Sequence, residues 1–355
     1  MSKPKAIVLG PLPPPYGGVS VFMASIKDAC LARGIEVWSN AGDGGDPRVK
    51  RVNHRALGHL IRLLFQPRGA RITDSTHFHL EHPHWLLLPA WLLMKQLKRF
   101  TWVKICHDAT LPTRYEQMDP AKRRRVRRAL SAIDELVVYS DDLERWFKAE
   151  LDYGGDLHFG PFLTPLEPSW GATDPADLLR NVAHTTLVSS VGVFLPFYGF
   201  DKLATAVEKL RASTGRDIGL VLLDGGFAND DEYRVSVLRG RPWIHVLERV
   251  PHPDIGSIMK ASDVFVRPVE HESYGRSRVE ALLSGTPVVA TNVGETRGMR
   301  TYRFDDVDAL TAHIEAVLNG DDEPELEHWA YIYTQEATTN LGTYLRLIAG
   351  EDADA

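Results

Sequence analysis

Twice along the chain, short apolar runs that stop at a glycine or a polar turn alternate with segments of helical periodicity. Residues 6–9 run into Gly10, and apolar residues then return at helical spacing as Val21, Phe22, Ile26, Ala29 and Cys30. Residues 35–39, 103–106 and 135–139 are further short runs, and 141–148 has a helical pattern. Short buried strands alternating with helices predict an α/β domain built on a parallel sheet. Residues 161–175 lapse into Pro, Gly, Ser and Thr, as a linker does. The alternation then restarts, with strands expected at 187–191, 219–223, 264–267 and 287–290 and helices at 202–213 and 276–283. Two domains are therefore expected, 1–180 and 181–328, with a helical tail at 329–350 able to pack back on the first. Ligands in open parallel sheets bind beyond the C-terminal strand ends, which puts the expected site in a cleft between the domains.

A length of 355 residues suits two cores better than one. The net charge of -6 argues against general nucleic-acid binding, which needs a basic surface. Locally the first 130 residues are rich in arginine and lysine, whereas 321–327 and 351–354 are acidic. Cys30 and Cys106 are the only cysteines, too few for a disulfide framework or a paired metal spacing. The N-terminal sequence lacks a signal-peptide apolar stretch, and the most hydrophobic segment, 85–93, falls short of the roughly 20 residues a bilayer span needs. A cytoplasmic protein is the expectation.

The chemistry concentrates between Glu272 and Glu280. A helix is expected to begin at Arg276 and stop at Gly285. Its N-terminus would offer unpaired N–H groups and the positive dipole end to a phosphate. The two carboxylates would stand about 12 Å apart if every step between them were helical. That spacing fits an extended, hydroxyl-rich ligand such as a sugar nucleotide. It equally fits a Glu272 that caps the helix and a Glu280 paired with Arg276 at i, i+4.

The segment RPVEHESYGRSRVEALLSGTPVVATNVGETRG resembles the donor-site signature of retaining GT-B glycosyltransferases of family 4, the glycosyl transferases group 1. Gly17-Gly18-Val19-Ser20 resembles that family's first glycine loop, and His107-Asp108 falls where it carries an active-site histidine. The resemblance implies two Rossmann-like domains facing a central cleft. It implies Glu272 at the donor sugar, Glu280 at the nucleotide ribose, and the amides of Gly17 and Gly18 near the diphosphate. His107 would stand at the reaction centre. The implied reaction transfers a sugar from a nucleotide sugar to a saccharide or lipid-linked acceptor, with retention and without a metal or other cofactor.

One departure stands out. The family places an Arg after the glycine of the first donor-domain strand and a Lys before the next glycine. Here those places read Gly192-Val193 and Tyr198-Gly199. Arg267, Arg276 or Arg278 could supply the charge instead, with Arg276 the preferred candidate and pairing to Glu280 its competing explanation. A lipid-linked donor, or a non-catalytic binding or scaffold protein, are the other two ways to account for the gap. A sugar-nucleotide epimerase of the same architecture is the nearest enzymatic rival. A nicotinamide dehydrogenase lacks support, because no G-x-G-x-x-G follows the first strand.

Two clusters are read as structural. His77, His79, His82 and His84 could bind a metal, but strand-end packing accounts for them better. Residues 54–71 mix leucines with Arg55, Arg62, Arg68 and Arg71, a pattern shared by anionic-membrane helices and ordinary solvated ones. Residues 122–128 read as a solvated basic face.

Overall fold

The computed structural model describes every residue except 1–4, 15, 43–44, 53–68, 77–92, 94, 98, 108–109, 161–162, 227–228, 322–324 and 352–355. The histidine cluster at 77–84, Asp108 and most of the basic segment at 54–71 lie outside the described residues. The chain forms two compact units, Met1–Thr164 with Thr338–Ala355, and Pro165–Ala337.

The first unit holds a seven-stranded sheet in the order β3-β2-β1-β4-β5-β6-β7. Its strands are β1 (Ala6–Gly10), β2 (Glu36–Ser39), β3 (Lys50–Arg51), β4 (Arg71–Asp74), β5 (Thr101–Ile105), β6 (Glu135–Val138) and β7 (Asp156–Phe159). Every pairing is parallel. Its helices include α1 (Gly18–Ala32), α2 (Leu111–Glu116), α3 (Pro120–Leu130) and α4 (Asp141–Ala149). Ile7, Ile72, Leu136, Val138 and Phe147 sit in a single apolar cluster with no more than 2% exposure each. The strand order reverses between β1 and β4, and loops at such a switch point open a crevice for ligands.

The second unit repeats the design with six parallel strands in the order β10-β9-β8-β11-β12-β13. These are β8 (Thr186–Gly192), β9 (Ile218–Asp224), β10 (Ile244–Glu248), β11 (Val264–Arg267), β12 (Val288–Thr291) and β13 (Arg300–Tyr302). The helices are α5 (Pro175–Leu178), α6 (Phe200–Thr214), α7 (Asp231–Leu238), α8 (His252–Lys260), α9 (Arg276–Leu283) and α10 (Val307–Asn319). β9 is buried along its whole length, which is why residues 218–223 carry no polar side chain before Asp224 ends the strand. Here the order reverses between β8 and β11.

The expected boundary near residue 180 moves to 164/165. Residues 165–179 look like linker in sequence, yet they are fastened to the second unit. Trp170 Nε1 donates to Ser284 Oγ at 3.0 Å, Gly171 N donates to Pro253 O at 2.9 Å, and Ser257 Oγ donates to Thr173 O at 2.6 Å. The long terminal helix α11 (Leu326–Ala349) starts in the second unit, and its last turns belong to the first. There Tyr344 Oη donates to Gly160 O at 2.9 Å and Arg71 Nε donates to Leu347 O at 2.6 Å. Among the described residues, no helix is long and apolar enough to cross a membrane.

Candidate functional site

In the second unit the two strands at the switch point end side by side. Val264 pairs with Val188 and Phe265 with Ser189, so Arg267 emerges next to Val191, one residue before Gly192. Its guanidinium is gripped from several sides. Nη1 donates to Val191 O at 2.5 Å, while Nε and Nη2 donate to Glu272 Oε2 at 3.0 and 2.7 Å. The Tyr198 ring lies beneath it, with Cζ 5.2 Å from the centroid, a favourable cation–π distance.

Two glycines permit that packing. A Cβ on Gly192 would run into the Tyr198 ring. Gly199 adopts φ +64°, and a Cβ there would collide with the carbonyl oxygen of Pro268. The loop after β8 is thus seated directly against the end of β11.

Glu272 stands between two arginines. Burial alone would push its carboxyl up, but the charges of Arg267 and then Arg278 outweigh this and hold it below the usual range. Arg278 is fully buried on α9, at a position the helical pattern would fill with an apolar residue. Its Nη1 donates to the carbonyls of Val293, Glu295 and Thr291 at 2.6, 3.2 and 3.3 Å, pinning the loop after β12. Among the described residues, Nε and Nη2 are buried without a hydrogen-bond partner. Burial lowers this group to about 10, which leaves it cationic at neutral pH.

α9 itself begins after Gly275, whose φ of +85° is the left-handed turn that lets the chain enter the helix. The N-cap offers no side-chain acceptor, and the positive end of the helix dipole at this point favours an anion.

Glu280 lies farther along α9 in a separate polar cluster. Its Oε1 accepts from Arg276 Nε at 2.6 Å and lies 2.9 Å from His252 Nε2. His252 Nδ1 is 3.2 Å from Glu167 Oε1, and its ring packs on Trp170 with centroids 4.8 Å apart. Burial would push Glu280 up, but His252 and Arg276 pull it down to about 2. The carboxylate is therefore ionised with its Oε1 satisfied, and its Oε2 has no hydrogen bond among the described residues.

Of the residues singled out in sequence, the structure brings Arg276 and Glu280 together and joins Glu272 to Arg267 instead. His252, Glu167 and Trp170 were not foreseen. They reach Glu280 from the start of α8 and from apparent linker, and no local motif marks them.

In the first unit, Gly17 caps α1 with extended backbone, and its N–H donates to Ser20 Oγ at 2.9 Å. A Cβ on Gly18 would meet nothing within 4 Å, so the space beside the helix start is open. His107 follows β5. Its Nε2 lies 2.6 Å from Ser75 Oγ, the ring stacks edge-on against Phe22 at 5.5 Å, and Tyr139 lies 5.7 Å away. Ser75 follows β4, so the two residues come from adjacent strand ends. Below them, buried Lys104 places Nζ 3.1 Å from Asp74 Oδ1 and also donates to the Thr76 carbonyl. Lys104, a charge inside the run at 103–106, is the sequence signal that marks this pair. Among the described residues, no group of three or more His, Cys, Asp or Glu could hold a metal ion.

Residues 180–332 match the family model described as glycosyl transferases group 1. The D-inositol 3-phosphate glycosyltransferase of Corynebacterium diphtheriae is 34% identical over 117 residues, which span 31% of this chain but only 27% of that protein. The enzyme of the same description from Corynebacterium efficiens is 29% identical over 319 residues, 78% of this chain and 74% of that one. Among solved structures, Anabaena HepE in complex with UDP-glucose superimposes with a TM-score of 0.72 at 17% identity, covering 97% of this chain and 98% of that chain. That likeness establishes the fold: both Rossmann-like units expected of the GT-B class are present.

Proposed function

We propose, from the premise that residues 180–332 make this chain a member of the glycosyl transferases group 1 family, that it transfers a hexose from a nucleotide sugar to a saccharide or lipid-linked acceptor. The observation that carries this reading is Glu280. Its side chain is 5% exposed and ionised, and among the described residues one oxygen stays uncommitted, as an acceptor for a ribose hydroxyl should be. The relatives named glycosyltransferases and the neighbour that binds UDP-glucose support the same class of substrate.

In this reading Glu272 receives the hydroxyls of the donor sugar, and the α1 N-terminus, open beside Gly18 while the Gly17 amide is held by Ser20, admits the diphosphate. Arg276 acts on the donor through Glu280. His107 positions the reacting sugar, with Ser75 orienting its ring. The reaction retains the anomeric configuration: the leaving phosphate takes the acceptor's proton on the same face while the protein contributes position and charge. No metal or other cofactor takes part. The setting is the cytoplasm, at the inner face of an anionic membrane where a lipid-linked acceptor is used in cell-surface glycoconjugate synthesis. The exposed cations of α3, Lys122, Arg124, Arg125, Arg127 and Arg128, suit that contact.

The test is an assay of the purified chain with UDP-, GDP- and ADP-sugars for nucleoside diphosphate release with and without acceptor. Release that disappears in Glu272→Ala supports transfer. A chain that binds these donors yet never turns them over is the inactive binding protein, and interconversion of sugar nucleotides without release is the epimerase. Product NMR showing an inverted anomeric centre would overturn retention alone.

A further inference from the structure

We infer that Arg267, seated on the ring of Tyr198, is the cation that holds the donor diphosphate in this chain. The inference rests on the glycosyltransferase reading and goes beyond it, by naming a phosphate-binding residue where the two expected ones are missing.

The loop after β8 cannot supply the charge itself. Val193 and Phe194 are 2% and 0% exposed and fold into the core, and Tyr198 carries an aromatic ring where a lysine was expected. Across the switch point, however, Arg267 reaches over to this same loop. It donates to the carbonyl of Val191 and lies on the Tyr198 ring. A guanidinium from β11 thus stands beside the place the missing side chains would occupy, held by the residue that replaced one of them.

The charge balance points the same way. Glu272 faces two arginines, Arg267 and Arg278, so the trio carries one net positive charge. The start of α9 adds the positive end of its dipole. Glu295, itself paired with Arg297, also acts on Arg278, and the positive potential left at Arg267 favours an anion.

The three arginines are separated by what surrounds them. Arg278 is 0% exposed, so it contributes field and no contact. Arg276 Nε is spent on Glu280 in the neighbouring cluster. The Arg267 side chain keeps 12% exposure at the crevice. Its bonds to Glu272 and Val191 use one N–H on each nitrogen, and each terminal nitrogen carries a second, of which one is within reach of the Tyr198 hydroxyl. Tyr198 contributes a flat support that fixes the guanidinium plane, as a lysine at that position could not.

Calorimetry on the full chain decides it, with UDP, GDP and ADP each compared with uridine, guanosine and adenosine. The wild type should bind one diphosphate more tightly than its nucleoside. Arg267→Gln should narrow that gap about 10- to 100-fold and leave nucleoside affinity unchanged. Tyr198→Lys placed in the Arg267→Gln chain should win back part of the loss. Full diphosphate preference in Arg267→Gln overturns the inference, and so does loss of that preference in Arg276→Gln alone. An equal loss for nucleoside and diphosphate would make Arg267 merely structural and also overturns it. If the wild type binds no nucleoside diphosphate, the glycosyltransferase reading falls first and takes this assignment with it.

Discussion

His252 Nε2 and Arg276 Nε converge on the same oxygen of Glu280, at 2.9 and 2.6 Å. Burial alone would push the His252 imidazole down. The charge of Glu280 and the hydrogen bonds to Glu167 and Glu280 outweigh it and lift the group above its ordinary 6.5, against a smaller opposing effect of Arg276. A histidine raised in the folded state adds stability below its unfolded value and loses it as pH rises through the folded value. The melting temperature of the wild type should therefore exceed that of His252→Gln most at pH 6, and the difference should shrink steadily toward pH 9. A difference that grows over that range would show that His252 is neutral in the fold.

Glu280 gives the opposite slope. Its folded value of about 2 lies below the ordinary 4.5, so its contribution is complete above pH 4.5 and is lost as the pH falls toward 2. Glu280→Ala leaves Arg276 and His252 buried without their shared anion, which should cost about 3–5 kcal/mol, as for other broken buried pairs. Chemical denaturation at pH 7 measures this. Glu280→Gln should be milder, because an amide oxygen still accepts both donors. Either variant should also weaken nucleoside binding if the uncommitted oxygen receives the ribose.

Arg278 tests what a buried arginine does for a loop. Arg278→Leu removes a desolvated charge but orphans the carbonyls of Thr291, Val293 and Glu295, so a net loss of about 1–3 kcal/mol is expected. Hydrogen exchange should quicken in residues 291–295 while β8 and β9 remain protected. A variant as stable as the wild type, with an unchanged loop, would mean that the carbonyl contacts contribute nothing.

The strands legible from sequence were the ones buried on both faces. Residues 6–9 and 219–223 are apolar because helices cover both sides of β1 and β9. β3, β7, β10 and β13 went unread, and all four are sheet edges. Edge strands bury less, so His158 and His245 can occupy them without breaking the fold. β4 was missed for another reason. It is four residues long and bounded by charges, Arg71 and Asp74, whose partners Glu135 and Lys104 lie far away in sequence. The site divides in the same way. Glu272 and Glu280 lie in one continuous motif, whereas the contact of Arg267 with Tyr198 depends on strand order, which no local pattern encodes.

Ser75 is the residue whose removal separates positioning from binding. Its hydroxyl lies 2.6 Å from His107 Nε2, while Phe22 and Tyr139 bound the ring on other sides. Losing the hydroxyl removes the 2.6 Å contact that fixes how the imidazole is oriented. Ser75→Ala should therefore lower kcat for sugar transfer about tenfold, within the range ascribed to misplaced groups, with KM for the donor nearly unchanged. Ser75→Thr keeps the hydroxyl and should recover most of the rate. The pH profile should also change, because the hydroxyl no longer biases which ring nitrogen of His107 holds the proton. A rise in donor KM at constant kcat would instead make Ser75 part of the donor-binding surface and remove its role in orienting His107.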